Sequence, residues 1–142
     1  MASESPLIHD GAQTVAAANY YNPGSALAGP GGSGQFLGVA LSSSANRTSV
    51  LASGTGQQIY GVLQNKPASG EVCDVAIFGI TKAMVGSGAA TRGHTAMVDS
   101  TGAFTDWVSG ASNAQVGYFL ETGVSTQIVS MFLGATSPKV LT

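Results

Sequence analysis

Charge is what this chain has least of. Of 142 residues, five are Lys or Arg and seven are Asp or Glu, 8% in all, against roughly a quarter in an average soluble domain. The five cations, Arg47, Lys66, Lys82, Arg92 and Lys139, are scattered along the sequence. Phosphate neutralisation needs several cations converging on one face, so nucleic acid is not expected as a partner. Cysteine is nearly missing as well. Cys73 stands alone, which excludes an internal disulfide, and His9 and His94 are the only histidines. No pair among these has ligand spacing, so no metal and no cofactor are expected.

Long apolar runs are lacking too. The uncharged stretch from Gly11 to Asn46 is interrupted by Gly, Pro, Ser, Asn and Gln, far short of the ~18 consecutive apolar residues of a membrane span. No membrane partner is expected. The opening Met-Ala-Ser-Glu-Ser-Pro lacks the basic residue and apolar core of a signal peptide. With the lone cysteine, this gives the expectation of assembly in a reducing cytoplasm. No segment sustains an apolar 3.6-residue period long enough for a major helix.

What is present is 44% hydrophobic residues and twenty glycines. That hydrophobic content with a net charge of −2 excludes disorder for most of the chain. The length suits one domain with a real core. From Gln35 onward the pattern is β. Strand-like runs recur at 35–42, 59–64, 72–78, 80–85, 95–98, 104–108, 115–121 and 126–133, separated by Gly-, Asn-, Asp- and Ser-rich turns. Two hairpins echo each other, Ile59–Leu63 with Val72–Phe78 and Val116–Leu120 with Ile128–Leu133. Each carries a glycine just before its apolar pair, the mark of a bulge or a close backbone approach. Asp99-Ser100-Thr101-Gly102 reads as a surface hairpin tip with a solvated carboxylate.

Residues 1–34 differ from the rest. Asn22-Pro23-Gly24 is a turn, Gly29 to Gly34 is flexible or turn-forming, and Gln13 to Tyr21 fits a short strand or a helical turn. The division expected is an extended N-terminal arm with one short strand, 1–34, followed by a β-domain, 35–142. Strands Val72–Phe78 and Ile128–Leu133 are apolar on both faces, and strands of that kind are covered on both faces. In a small domain the second cover is often another subunit, so oligomerisation is expected.

No catalytic motif holds up. Gly29-Pro30-Gly31-Gly32-Ser33-Gly34 fits G-x-G-x-x-G by letter, but a strand follows where the dinucleotide fold needs a helix, and Pro30 removes an N–H. Gly88 to Thr95 resembles a phosphate loop with His94 in place of the obligatory Lys. Glu71 and Asp74 fall on opposite faces of a strand, and no Gly-x-Ser-x-Gly elbow occurs. The expectation is a protein without catalytic residues. Tyr20, Tyr21 and Pro23 in the arm, and Trp107 at the end of a strand, are the candidate partner contacts. Core or subunit-interface packing is the competing reading for Trp107, and Cys73 on an apolar strand face reads as a small core residue.

Tyr60-Gly61-Val62-Leu63-Gln64-Asn65-Lys66-Pro67-Ala68-Ser69-Gly70-Glu71 resembles the capsid decoration, or cement, proteins of tailed bacteriophages. That family has a glycine, an apolar pair, a Gln-Asn-x-Pro-like turn and a Gly-Glu before a valine-rich strand, here Val72 to Lys82. A small-residue loop at Gly86–Gly93, an Asp-x-x-Gly turn within Met97–Gly102, and the closing strands at 116–121 and 128–133 continue the likeness. Asn22-Pro23-Gly24-Ser25 is similar to its N-terminal Pro-Gly. The resemblance spans most of residues 20–133 and is strongest at 60–82.

It implies an all-β fold, a compact β-barrel, β-tulip or jelly-roll-like sandwich with an extended N-terminal arm. It also implies a structural virion protein on the capsid exterior, assembled in the host cytoplasm. Its partners would be the major capsid protein and its own copies, as a homotrimer or alternatively a dimer. The alternatives carried beside it are a virion-displayed host-attachment or carbohydrate-binding module with Trp107 as platform, and a tail or baseplate component.

Overall fold

The structure is a computed structural model that describes residues 12–17, 34–43, 48–67, 72–110 and 113–134. Among these residues there are ten strands and no helix, as the missing helical period and the many turn residues require. Five strands form a closed barrel in the order β1-β3-β2-β4-β5. They are β1 (Ala12–Ala17), β2 (Gly38–Leu41), β3 (Thr48–Leu51), β4 (Gly61–Leu63) and β5 (Val72–Ala76). The other five form an open antiparallel sheet in the order β6-β10-β9-β7-β8. These are β6 (Gly79–Met84), β7 (Thr95–Val98), β8 (Phe104–Asp106), β9 (Gly117–Phe119) and β10 (Ile128–Leu133). The all-β class and the barrel expected from the sequence are both present.

Both echoing hairpins form. β4 pairs with β5 through Val62↔Ala76 and Leu63↔Val75, in the barrel. β9 pairs with β10 through Met131↔Phe119, Phe132↔Tyr118 and Leu133↔Gly117, in the open sheet. Their glycines act alike: a methyl group on Gly61 would run into Val75 and the Ala76 carbonyl, and one on Gly117 would collide with the Phe132 carbonyl oxygen. The partner backbone therefore passes where a side chain would stand, which is why glycine opens each of these strands.

Two apolar clusters hold the halves together. Val39, Leu51, Leu63, Cys73 and Val75 fill the barrel, with Cys73 fully buried as the sequence suggested. Val62 and Ala52, on the opposite face of the barrel wall, meet Ala83, Ala96, Val98, Phe104, Phe119, Val129, Met131 and Leu133 of the open sheet. Alternation on β10 explains this: Val129, Met131 and Leu133 point inward, and Ile128, Ser130 and Phe132 are half-buried. Backbone bonds stitch the join. Gly38 N donates to Gly102 O at 2.8 Å, Met84 N to Phe36 O at 2.9 Å, and Gly56 N to Val98 O at 2.7 Å.

Two local readings change, at β3 and at Asp99, and the short strand expected in the N-terminal segment is present. Strand β3 is not among the runs expected, because Thr48-Ser49-Val50-Leu51 follows a polar run and shows no alternation in hydropathy. Ser49 is nevertheless fully buried, facing Cys73 with Oγ and Sγ 3.4 Å apart. The ambiguous segment at 13–21 contributes β1, which ends at Ala17 and lies between β3 and β5. Asp99 is not a solvated tip. It is buried, and Gly102 beside it packs under the Ala52 carbonyl.

Candidate functional site

The outer face of the open sheet carries a ridge of large apolar side chains. In the β6–β10–β9 register Ile80 stands opposite Phe132, and Phe132 opposite Tyr118, so all three share one face. Phe119, Met131 and Thr81 alternate to the buried side. The Tyr118 and Phe132 rings stack with centroids 5.2 Å apart and planes 20° from parallel. Phe78, in the tight turn before β6, meets Phe132 edge-on at 5.4 Å and 79°. Both are preferred aromatic geometries. Ile80 is 74% exposed, Phe78 63% and Tyr118 37%. Lys82, exposed on the same face opposite Ser130, borders the ridge.

A monomeric surface scatters its exposed apolar residues singly; here Phe78 and Tyr118 each contact Phe132 and Ile80 stands opposite it, a cluster with the character of an interaction site. None of the four is a reactive group. They can bury area against an apolar surface or a ring, and the strand ladder fixes the positions of Ile80, Tyr118 and Phe132.

At the other end of the sheet, Trp107 N donates to Thr95 O, and its indole Nε1 donates to Asn113 O at 3.3 Å. Asn113 Nδ2 in turn donates to Val108 O. The half-buried indole thus braces the loop after β8, and the ring contacts of the ridge do not include it. Tyr20, Tyr21 and Pro23 lie outside the described residues. The sequence pointed to Trp107 and missed Phe78, Ile80, Tyr118 and Phe132. Their signal was the apolar character of both strand faces.

The polar groups are occupied with structure. Asp99 accepts from Thr101 N at 2.7 Å, Thr101 Oγ1 at 2.6 Å, Ala103 N at 3.2 Å and Ser87 N at 3.2 Å. Most of these partners are backbone amides, which is a structural use of a carboxylate. His94 Nδ1 and Asp106 Oδ2 lie 3.1 Å apart, with the imidazole 60% exposed, and Asp106 also accepts from Thr91 N. Exposed pairs of this kind are worth little. Glu121 accepts from Ser130 N at 2.6 Å, and that bond holds its carboxyl below the usual range. Tyr60 has its hydroxyl oxygen buried without a completed hydrogen bond. Burial pushes its pKa up to about 12; the nearby Ser49 hydroxyl opposes the rise and Cys73 adds to it.

No group of three or more His, Cys, Asp or Glu is gathered closely enough to hold a metal ion among the described residues. A shallow groove of about 350 Å³ beside Leu41, Ser42, Ser53 and Gln57 is lined by uncharged side chains. Among the described residues, no helix is long and apolar enough to cross a membrane.

No family model matches this chain, and no curated protein matches it. A solved structure does: the N base of the head fiber gp8.5 of bacteriophage phi29, at a TM-score of 0.62 and 12% identity. The match covers 87% of this chain and 93% of that one. At that identity the likeness is one of fold, and it extends over nearly the whole of both chains.

Proposed function

We propose that the protein is a structural component of a tailed-bacteriophage virion, seated on the outside of the capsid, where it stabilises the expanded shell. The observation that carries this reading is the end-to-end likeness of fold to the base of a phage head fiber. Beside it stands the cement-protein resemblance at 60–82. One line from residues and one from backbone geometry support the phage-head reading.

The chemistry fits. A shell that expands during packaging must then resist internal pressure. A subunit that binds only the expanded lattice adds its binding free energy to that state alone, and many copies bridging neighbouring capsomers gain further by avidity. Such a subunit needs a rigid body and an exposed patch, and no reacting group. The ridge of Phe78, Ile80, Tyr118 and Phe132 is the patch offered here for the major capsid protein. Low surface charge lowers the cost of pressing two protein surfaces together.

The test is to mix purified protein with expanded capsids lacking it. Saturable binding and a higher disruption temperature of the particles are expected. Absence of binding to expanded shells overturns the reading. A second reading, display for host attachment, draws on the stacked Tyr118–Phe132 pair, since flat rings accept the apolar face of a sugar. Glycan-array binding lost on Tyr118→Ala, with capsid binding intact, would favour it. Particle imaging that finds the protein on the tail or baseplate would reject both head locations.

A further inference from the structure

The seam of the barrel is the most unusual part of this fold. Strand β1 is hydrogen-bonded on both sides, to β5 through five antiparallel positions from Ala12↔Ala76 to Ala16↔Val72, and to β3 through Ala16↔Thr48 and Ala17↔Ser49. The pairing with β3 is parallel, and among the described residues every other pairing of two strands is antiparallel. Remove β1 and the remaining β3-β2-β4-β5 sheet has two open edges facing one another across a slot one strand wide.

The length of chain that follows β1 does not fit its position. β1 ends at Ala17 and β2 begins at Gly38, so twenty residues join them. β1 is parallel to β3, and β2 antiparallel to it, so the end of β1 and the start of β2 lie toward the same end of the barrel. Only β3 separates them, two strand spacings or about 10 Å. Allowing for the stretch still to be run along the barrel, about five residues would bridge the gap. Of the twenty, 34–37 are held in place by bonds such as Phe36 N to Leu63 O and Leu37 N to Gly34 O; the other sixteen, fully extended, reach about 55 Å. Connections this long within a compact domain are uncommon and usually functional. The connection contains Asn22-Pro23-Gly24 and the run from Gly29 to Gly34 and no charged residue, so it meets little electrostatic resistance in crossing between molecules.

We infer that the slot between β3 and β5 is filled by β1 of a second copy of this chain, so that subunits are tied together by exchanged N-terminal strands. The exchanged strand keeps the same hydrogen bonds, since its sequence and register are unchanged, and the surplus connection supplies the reach. Exchange of an identical element is a low-cost route to an oligomer. This inference goes beyond the capsid reading and does not depend on it. The protein on its own is enough to test it.

The ladder supplies the probe. Val15 stands opposite Cys73, the sole cysteine of the chain. Directly opposed residues of an antiparallel pair have Cα atoms about 4.5–5.5 Å apart, within disulfide range. The Val15→Cys protein would be purified reduced, mixed with an isotopically heavy batch under exchange conditions, oxidised mildly, and run on a non-reducing gel. The expected result is a reducible dimer or larger species, with a light–heavy disulfide-linked peptide pair joining positions 15 and 73. A disulfide found only within single chains, at every concentration, overturns exchange.

Because a thiol at position 15 could disturb the barrel, a second pair is tested in parallel. Thr14→Cys with Asp74→Cys, in a Cys73→Ser background, uses the adjacent register position, where Asp74 is exposed. If neither pair forms a disulfide, β1 does not occupy the slot, and the inference fails equally.

Discussion

The Ser87 amide donates to the Asp99 carboxylate at 3.2 Å, tying the loop after β6 to the β7–β8 turn twelve residues later. The other carboxylate oxygen gathers Thr101 N, Thr101 Oγ1 and Ala103 N. One buried side chain therefore closes a turn and fixes a neighbouring loop at once. Asp99→Asn keeps the size but presents an NH₂ group where one oxygen accepted. One donor is then left facing another, at a cost of about 1–3 kcal/mol. Thermal unfolding should register a Tm lower by roughly 4–12 °C, and Asp99→Ala should lower it further. An Asn variant as stable as the parent would show that the charge is not needed.

The ridge should matter for contact and little for folding. Phe78→Ser with Ile80→Ser removes two exposed side chains, and surface changes of that sort usually shift stability by about 0.5 kcal/mol or less. Loss of the Phe78–Phe132 edge contact adds about 0.5–1.5 kcal/mol. Sedimentation with expanded capsids should show occupancy by the double variant reduced about tenfold or more, as central apolar anchors demand, while the Tm stays within a few degrees. Undiminished occupancy would move the contact elsewhere.

Alkaline conditions should report on Tyr60. Its folded pKa is pushed up to about 12 from the ordinary 10, chiefly by burial. Between those values the unfolded chain releases the phenolic proton and the folded chain keeps it. The contribution is therefore complete below pH 10 and is lost as pH rises through 12. Tyr60→Phe should flatten that part of the stability profile. At neutral pH it should cost nothing or add about 1 kcal/mol, because the hydroxyl it removes has no completed hydrogen bond. Denaturant titrations of both proteins from about pH 8 to 12 would check the difference.

Gly117→Ala should be severe for its size. The added methyl meets the Phe132 carbonyl oxygen, backbone that cannot rotate away, and overpacking of this kind costs about 1–3 kcal/mol. Gly54→Ala is the control, since its nearest neighbour would lie 3.6 Å away on the Gln57 side chain. Urea midpoints should separate the two clearly. Equal midpoints would mean that the β9–β10 ladder yields more easily than its register suggests.

Much of the fold was legible in the residues, because alternation and turn chemistry are local. β7 came out at its observed bounds from Thr95-Ala96-Met97-Val98 between turn signals, and both glycine-marked hairpins paired as read. β3 was not legible. Ser49 is polar by type and buried only because Cys73 and the barrel wall close over it, a long-range fact. Asp99 misled for the same reason, since an Asp-x-x-Gly turn looks alike whether or not a glycine loop twelve residues upstream packs over it. The ridge was half legible. Two-faced strands gave the expectation of a cover on the outer side, but only register could show that Ile80, Phe132 and Tyr118 form one line.

The position of β1 also bears on how the molecule comes into being. Ala12–Ala17 leaves the ribosome before the other strands, yet its partners reach as far as Ala76, so it must wait while some sixty further residues are made. Pairings that close so large a loop form late. β2 to β5 can assemble beforehand through nearer contacts, presenting a nearly complete wall with a vacancy for one strand. During that interval, on a messenger crowded with nascent chains, whichever amino terminus arrives first can seat itself. Kinetics of synthesis, and not affinity alone, would then set how many molecules leave the polysome already joined.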